Sequence, residues 1–211
     1  MTNLPKLSAL DLAALLASRV CHDIISPVGA ITNGLEVLDE DNGEEMKEFA
    51  MDLIRKSAFS ASAKLKFARL AFGASGSAGA MIDTGDAEEV ARGFIAGEKP
   101  DLEWSGERVL MPKNKVKLIL NMVLVALNAI PRGGVIKLSM EGDENNTRFM
   151  LKCSGRNARA PSAFLNMLNG TVEGELDAHG VQPYYTLLLA EACGMTLGVR
   201  LEGEDVVLTA Q

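Results

Sequence analysis

The chain has 211 residues, and 47% of them are hydrophobic, which is enough apolar material for the core of one or two domains. Its formal net charge of −7 argues against a general affinity for nucleic acid. Cys21, Cys153 and Cys193 stand far apart, and this sparse, odd set favours a reduced cytoplasm over a disulfide scaffold. No signal peptide is recognisable, and the most apolar stretch, 118–130, is shorter than the ~20 residues of a membrane helix. We therefore expect a cytoplasmic protein that binds neither nucleic acid nor membranes.

The first predicted helix begins after an N-cap at Ser8, with Asp11 three residues later, and runs to about Asp39. Apolar or small residues recur along it in alternating steps of four and three, which is the heptad seam of a helix that packs in a bundle. The seam consists of Ala17, Cys21, Ile24, Val28, Ile31, Leu35 and Leu38.

His22 lies one residue round from this seam, at the start of a strip of small and polar residues. The strip continues through Ser26, Gly29 and Asn33. Pro27 costs a helix interior about 3 kcal/mol, and Gly29 and Gly34 cost roughly 1 kcal/mol each against alanine. Two interpretations stay open here. Either a kink and a bare surface let another protein approach the histidine, or Pro27 is a tolerated kink and the glycines make room for a neighbouring helix.

A turn at Asp41, Asn42 and Gly43 predicts a second helix from Glu44 to Phe72. Two helices joined by a short turn form an antiparallel hairpin, which cannot bury both of its apolar faces alone. We therefore expect a second copy of the chain to complete a four-helix bundle as a homodimer. Counting outward from the turn places residues 60–64, which are small and end in a lysine, beside the histidine.

A segment rich in Gly, Ala and Ser then marks a domain boundary. We assign the hairpin to residues 1–73, the linker to 74–81 and a second domain to 82–211. The second domain is predicted to begin with a helix that is capped by Thr84 or Asp86 and ends near Ala96, followed by a strand Asp101–Ser105 and a helix Lys113–Ile130 with Pro112 in its first turn. Two strands, Val135–Glu141 and Thr147–Cys153, come next. The domain is predicted to end with a helix Ser162–Leu168, a helix opened by Pro183 and ended by Gly194, and strands Met195–Glu202 and Asp205–Thr209. This order suggests helices layered on one face of a mixed sheet.

The sequence His22-Asp23-Ile24-Ile25-Ser26-Pro27 resembles the phospho-acceptor motif of sensor histidine kinases, which has His, then an acidic residue, and Pro five residues after the His. The match continues through residues 30–31 and 35–38. Beyond the linker, residues 128–130 followed by two glycines resemble the kinase N-box, and the last two strands resemble the end of a kinase ATP-binding domain.

Two departures from the kinase pattern concern the ATP site. Kinases carry Asp-x-Gly-x-Gly after the second hairpin strand, and residues 153–158 lack that Asp. Kinases then have a glycine-rich loop whose amides hold phosphates, whereas 177–183 lacks repeated glycines and Pro183 has no N–H to donate. We therefore expect no ATP binding, and we interpret Asn128 as a structural polar residue and not as a magnesium ligand.

A kinase-like hairpin followed by a degenerate ATPase-like domain is similar to the histidine phosphotransferases of the ChpT type. The resemblance implies an α + α/β fold, with a helical hairpin that forms a dimeric four-helix bundle (the DHp domain of kinases) and a degenerate GHKL or Bergerat-like α/β sandwich. It implies a homodimer in the cell-cycle phosphorelay, which accepts a phosphoryl group from the receiver of a CckA-type hybrid kinase and donates it to response regulators such as CtrA and CpdR. The chain then needs no cofactor of its own, because the receiver supplies Mg²⁺.

Within this resemblance His22 is the phosphoryl acceptor, since a neutral imidazole is a nucleophile near pH 7. Asp23 would orient that imidazole or act on the incoming receiver, because adjacent helical residues point about 100° apart. Ser26, one turn further, would hydrogen-bond the phosphoryl group. The predicted receiver-binding residues are Arg19, Gly29, Asn33, Gly34 and Lys64, of which the cations would steer an acidic partner. His179, the other histidine, lies in a predicted loop and is not expected to be the acceptor.

Two other functions remain open from the sequence. An active ATP-dependent histidine kinase would have the same fold but would need a working nucleotide site. A non-enzymatic dimeric scaffold would dock receivers without being phosphorylated itself.

Overall fold

The computed structural model describes residues 6–40, 43–74, 79–142, 146–171 and 176–211. Most of the predicted turn between the two long helices, at residues 41–42, and the middle of the predicted linker, at 75–78, lie outside the described residues. The elements in chain order are α1 (Ala9–Asp39), α2 (Glu44–Ala71), β1 (Met81–Asp83), α3 (Thr84–Ile95), β2 (Pro100–Ser105), β3 (Leu110–Pro112), α4 (Lys113–Ala129), β4 (Gly134–Glu141), β5 (Arg148–Ser154), α5 (Ser162–Leu168), α6 (Val181–Ala192), β6 (Leu197–Glu202) and β7 (Asp205–Ala210).

The hairpin α1–α2 confirms the predicted pair of long antiparallel helices. Ser8 caps α1, because its Oγ accepts a hydrogen bond from the Asp11 amide at 3.1 Å. The predicted seam of α1 divides into two columns of different burial. Ile24, Ile31 and Leu38, spaced by seven, are half-buried within the hairpin, while a second column, also spaced by seven, stays exposed. The exposed column consists of Cys21, Val28 and Leu35.

A mixed five-stranded sheet in the order β2-β4-β5-β7-β6 supports the second part of the chain. Strands β2 and β4 are parallel, and the remaining neighbours are antiparallel. Along β5 the buried residues Phe149, Leu151 and Cys153 alternate with less buried ones, which is the pattern of a sheet covered by helices on one face. Helix α4 is buried on nearly all sides and contacts α2, α6 and the sheet.

Three local features differ from the predictions. The two-stranded antiparallel pair β1–β3 was not predicted. The N-cap of α3 is Asp83 and neither Thr84 nor Asp86, since its Oδ1 accepts from the Gly85 amide at 2.8 Å. Helix α6 begins at Val181, two residues before Pro183, because proline is tolerated throughout the first helical turn, where the amides have no partner within the helix.

The hairpin and the second part of the chain share one hydrophobic core. Phe67 on α2 packs on Phe94 on α3 with ring centroids 4.3 Å apart. The buried Asn121 of α4 donates a hydrogen bond from Nδ2 to the Ala71 carbonyl at the end of α2, at 3.2 Å. The boundaries 1–73, 74–81 and 82–211 stay a prediction, but the packing across them gives α1 a defined orientation relative to α6.

Among the described residues, α1 is the one helix whose length and composition would allow it to cross a membrane. The expectation that the chain has no membrane helix rested on the stretch 118–130 and not on α1. In the structure one side of α1 packs along α2, and the helix carries Arg19, His22 and Asp23 near its middle.

Candidate functional site

His22 lies in the middle of α1 with 59% of its side chain exposed. Its Nδ1 is 3.5 Å from Asp23 Oδ1, at the long end of a hydrogen bond. The other oxygen of Asp23 accepts a hydrogen bond from Arg19 Nε at 2.9 Å, one turn earlier on the same helix. The contact with Asp23 favours the tautomer that carries its proton on Nδ1, which leaves the Nε2 lone pair free to act as a nucleophile.

The pairing of Arg19 changes the role predicted for it. Its side chain is 20% exposed and is engaged with Asp23, whose side chain is 24% exposed. A cation in this position holds the carboxylate toward His22 and is not a free charge for attracting a receiver. Receiver binding by Arg19 stays a prediction, and the observed contact of Arg19 is that it positions Asp23.

Ser26 is exposed and lines a concavity of about 630 Å³ between the hairpin and the end of α3. Ser60 and Lys64 line the same concavity, so the predicted register of the hairpin is confirmed to within about one turn. The Nζ of Lys64 lies 4.0 Å from Glu98 Oε1, and its side chain is mostly buried. The charge of Lys64 is thus partly balanced within the chain.

The two glycines of α1 have different surroundings. A Cβ built at Gly29 would meet nothing within 4 Å, whereas one at Gly34 would lie 2.6 Å from Ile54 Cγ1 and 3.2 Å from the Ala50 carbonyl oxygen. Gly34 is buried and lets α2 approach, so the prediction that it contacts a receiver is wrong. Gly29 and Asn33 are exposed and remain available to another protein.

His179 was not predicted to belong to the site, but the structure places it against His22. The two ring centroids are 4.9 Å apart and the ring planes are inclined at 71°. His179 lies in the turn before α6, which is remote in sequence from α1, but α1 and α6 are in direct contact. No sequence signal could have paired these histidines, because their contact depends on how the hairpin docks on the second part of the chain.

The segment that corresponds to the kinase Asp-x-Gly-x-Gly motif packs on the end of α4. The Arg159 amide donates to the Ala129 carbonyl at 3.0 Å, and a Cβ at Gly155 would lie 2.5 Å from the Gly133 carbonyl oxygen. Asn128 is exposed and donates from Nδ2 to the Leu124 carbonyl of its own helix at 3.1 Å. No cluster of three or more His, Cys, Asp or Glu that could hold a metal ion occurs among the described residues.

Comparison with known proteins gives a consistent result. Residues 84–205 match the family model described as the histidine phosphotransferase C-terminal domain. The chain is 56% identical over 206 residues to the protein phosphotransferase ChpT of Brucella abortus (strain 2308), and the match covers 97% of each chain. A solved structure described as a bacterial phosphotransferase has a TM-score of 0.93 with this chain, at 52% identity and with full coverage of both chains.

Proposed function

The chain belongs to the histidine phosphotransferase family that includes ChpT, and we propose that it relays phosphoryl groups between receiver domains through a phosphohistidine at Nε2 of His22. One observation carries this proposal. The His22 imidazole is exposed on a long helix, its Nδ1 faces Asp23, and Arg19 holds that carboxylate in place. This arrangement leaves one ring nitrogen, Nε2, with a free lone pair.

In the proposed reaction, the Nε2 lone pair attacks the phosphorus of an aspartyl phosphate in a docked receiver. The P–N bond forms as the P–O bond breaks, and the receiver aspartate leaves as a carboxylate. The proton on Nδ1 stays in place, so the phosphorylated ring carries a positive charge that the Asp23 carboxylate stabilises. The same steps in reverse pass the group to a second receiver, and catalysis consists mainly of positioning and charge neutralisation.

The exposed strip beyond His22 is the proposed docking surface. Ser26 follows His22 by one turn and is a candidate hydrogen-bond partner for the phosphoryl group, while Gly29 and Asn33 present a surface without bulk. Lys64 contributes a cation at the edge of the neighbouring concavity. We propose that the receiver supplies Mg²⁺ and that this chain uses neither a metal nor ATP of its own.

We further propose that the chain is a homodimer. The exposed column of α1 is supplemented by Ile25, which is 71% exposed, and α2 exposes Phe59 (78%) and Leu65. Several large apolar side chains exposed on two adjacent helices are typical of an interface. A second copy that packs its hairpin on this one would cover the exposed column and complete a four-helix bundle.

The proposed partners follow from the resemblance. The phosphoryl donor would be the receiver of a CckA-type hybrid kinase, and the acceptors would be response regulators such as CtrA and CpdR, in the cytoplasm. The family membership supports phosphorelay partners in general, and the exposed acceptor on α1 is compatible with each of these receivers in turn.

The test is transfer of labelled phosphate from a purified, phosphorylated receiver. We expect acid-labile label on the wild-type chain, its onward passage to a regulator, and no label on the His22→Ala variant at unchanged folding. Labelled ATP alone should leave the chain unlabelled, which distinguishes the relay from a kinase. Passage of label to the regulator through His22→Ala would show that the acceptor is misassigned, and an unlabelled wild-type chain would favour the docking scaffold.

A further inference from the structure

The second imidazole beside His22 is not explained by the reaction described above. The edge-to-face contact of 4.9 Å between the His22 and His179 rings leaves 59% of the His22 side chain accessible, and His179 is itself exposed. His179 therefore flanks the acceptor ring and does not cover it. Nδ1 of His22 faces Asp23. A phosphoryl group on Nε2 would therefore lie in the accessible space at the other edge of the ring.

A tight turn fixes the backbone of His179. The Oδ1 of Asp177 accepts hydrogen bonds from the amides of Gly180 at 2.7 Å and His179 at 3.0 Å. The hydrogen bond from the Gly180 amide is the main reason that the pKa of Asp177 is lowered; desolvation opposes this effect, and the His179 amide adds a smaller lowering. The carboxylate is therefore ionised at neutral pH, where it keeps the turn closed.

The turn is anchored to the core by helix α6. Gln182 is buried and donates from Nε2 to the Asn121 carbonyl at 2.9 Å and to Thr186 Oγ1 at 3.0 Å. Asn121 in turn bonds the end of α2 through the Ala71 carbonyl, so polar contacts connect α6, α4 and α2. Because these groups are buried and paired, the base of the turn has a defined place relative to the hairpin that carries His22.

We propose that His179 is a second phosphoryl-contacting residue, in which a ring N–H donates a hydrogen bond to an oxygen of the phosphoryl group carried by His22. The inference rests on the proposed function, since it requires His22 to be the acceptor. A hydrogen bond to a phosphoryl oxygen is charge-assisted and is one of the stronger kinds in proteins. His179 undergoes no covalent change, and its contribution is to stabilise the phosphohistidine between the two transfers.

Three substitutions separate the hydrogen bond from simple packing. His179→Ala removes the ring, His179→Phe keeps a flat ring without an N–H, and His179→Gln keeps an N–H donor without the ring. The measured quantity is the equilibrium constant for transfer from a phosphorylated receiver to the chain, read from the distribution of label between the two proteins. An equilibrium constant between the free proteins is independent of docking rate, so weaker docking of a variant cannot imitate the expected effect.

We expect this equilibrium constant to fall about tenfold in His179→Ala and His179→Phe, the low end for the loss of one charge-assisted hydrogen bond because His179 is exposed, and to stay near the wild-type value in His179→Gln. Equal constants in all four chains would refute this inference alone, and so would a loss in His179→Gln as large as that in His179→Ala. A wild-type chain that takes no label at all would refute the proposed function and the inference together.

Nitrogen-15 spectra of histidine-labelled protein give an independent readout, because the chain contains two histidines and the His179→Gln variant assigns them. Phosphorylation of His22 should shift the nitrogen-15 resonances of the His179 ring. Unchanged His179 signals in phosphorylated wild-type protein would contradict the proposed contact.

Discussion

Alanine substitution at Gly34 and at Gly29 tests how α1 divides its surface between α2 and the solvent. Both residues lie within one helix, so both changes gain about 1 kcal/mol of helix propensity. They differ in packing, because a Cβ at Gly34 would lie 2.6 Å from Ile54 Cγ1 while one at Gly29 meets open space. Ile54 Cγ1 is not the free end of its side chain, so either Ile54 must change rotamer or the helices must shift, at a cost of typically 1–3 kcal/mol.

We therefore expect Gly29→Ala to raise the free energy of unfolding by about 1 kcal/mol and Gly34→Ala to leave it unchanged or lower it by up to about 2 kcal/mol. The difference between the two variants isolates the packing cost, since the propensity gain is common to both. Urea denaturation at one protein concentration measures it, with the slope of the transition compared to detect any change in compactness. Equal stabilisation by both substitutions would refute the close approach of α1 and α2 at Gly34.

Further predictions concern the site, the dimer and one acidic cap. Asp23→Asn should slow transfer from a phosphorylated receiver by about 10- to 100-fold, the ~1.5–3 kcal/mol of a charged hydrogen bond, and an unchanged rate in rapid-mixing experiments would show that Asp23 does not act on His22. Val28→Glu should place a charge in the proposed interface and shift sedimentation equilibrium toward the monomer, whereas a dimer of unchanged stability would locate the interface elsewhere. The pKa of Asp83 is lowered mainly by the hydrogen bond from the Gly85 amide and also by Arg108. Its ionised form therefore stabilises the fold at pH values above the ordinary carboxyl pKa, and that stabilisation is lost as the pH falls through the lowered pKa. The difference in Tm between wild type and Asp83→Asn should accordingly be largest near neutral pH and should vanish in acid, and a difference independent of pH would contradict this cause.

The sequence predicted the elements whose patterns are long and regular. The length of α1 and the cap at Ser8 are local properties of the chain, and both are confirmed, whereas only Ile24, Ile31 and Leu38 of the predicted seam are half-buried within the hairpin. Strands β1 and β3 have three residues each, which is too short for an alternating pattern, so they could not be recognised. The early start of α6 was missed because Pro183 was interpreted as the first helical residue, although proline is tolerated anywhere in the first turn.

The site was predicted only where it depends on one helix. Pro27 and Gly34 are seven residues apart and both buried, although the predicted seam contained neither. The burial of Gly34 agrees with the interpretation, left open from the sequence, that the glycines make room for a neighbouring helix. The pairing of Arg19 with Asp23 at a spacing of four was also within reach of the sequence. The contact with His179 was not, since it arises from packing between parts of the chain that are distant in sequence.

The buried amide of Gln182 has a consequence for the spacing of the two imidazoles. If α6 slid by one turn along α4, the turn that carries His179 would move by about 5.4 Å, which is more than the present separation of the rings. The same slide would remove the two Asn121 acceptors of the Gln182 amide and leave this polar group without those partners in an apolar interior. The buried contacts of Gln182 thus set the distance between the two imidazoles on the surface. A substitution at Gln182 should alter that distance, although the change touches neither histidine.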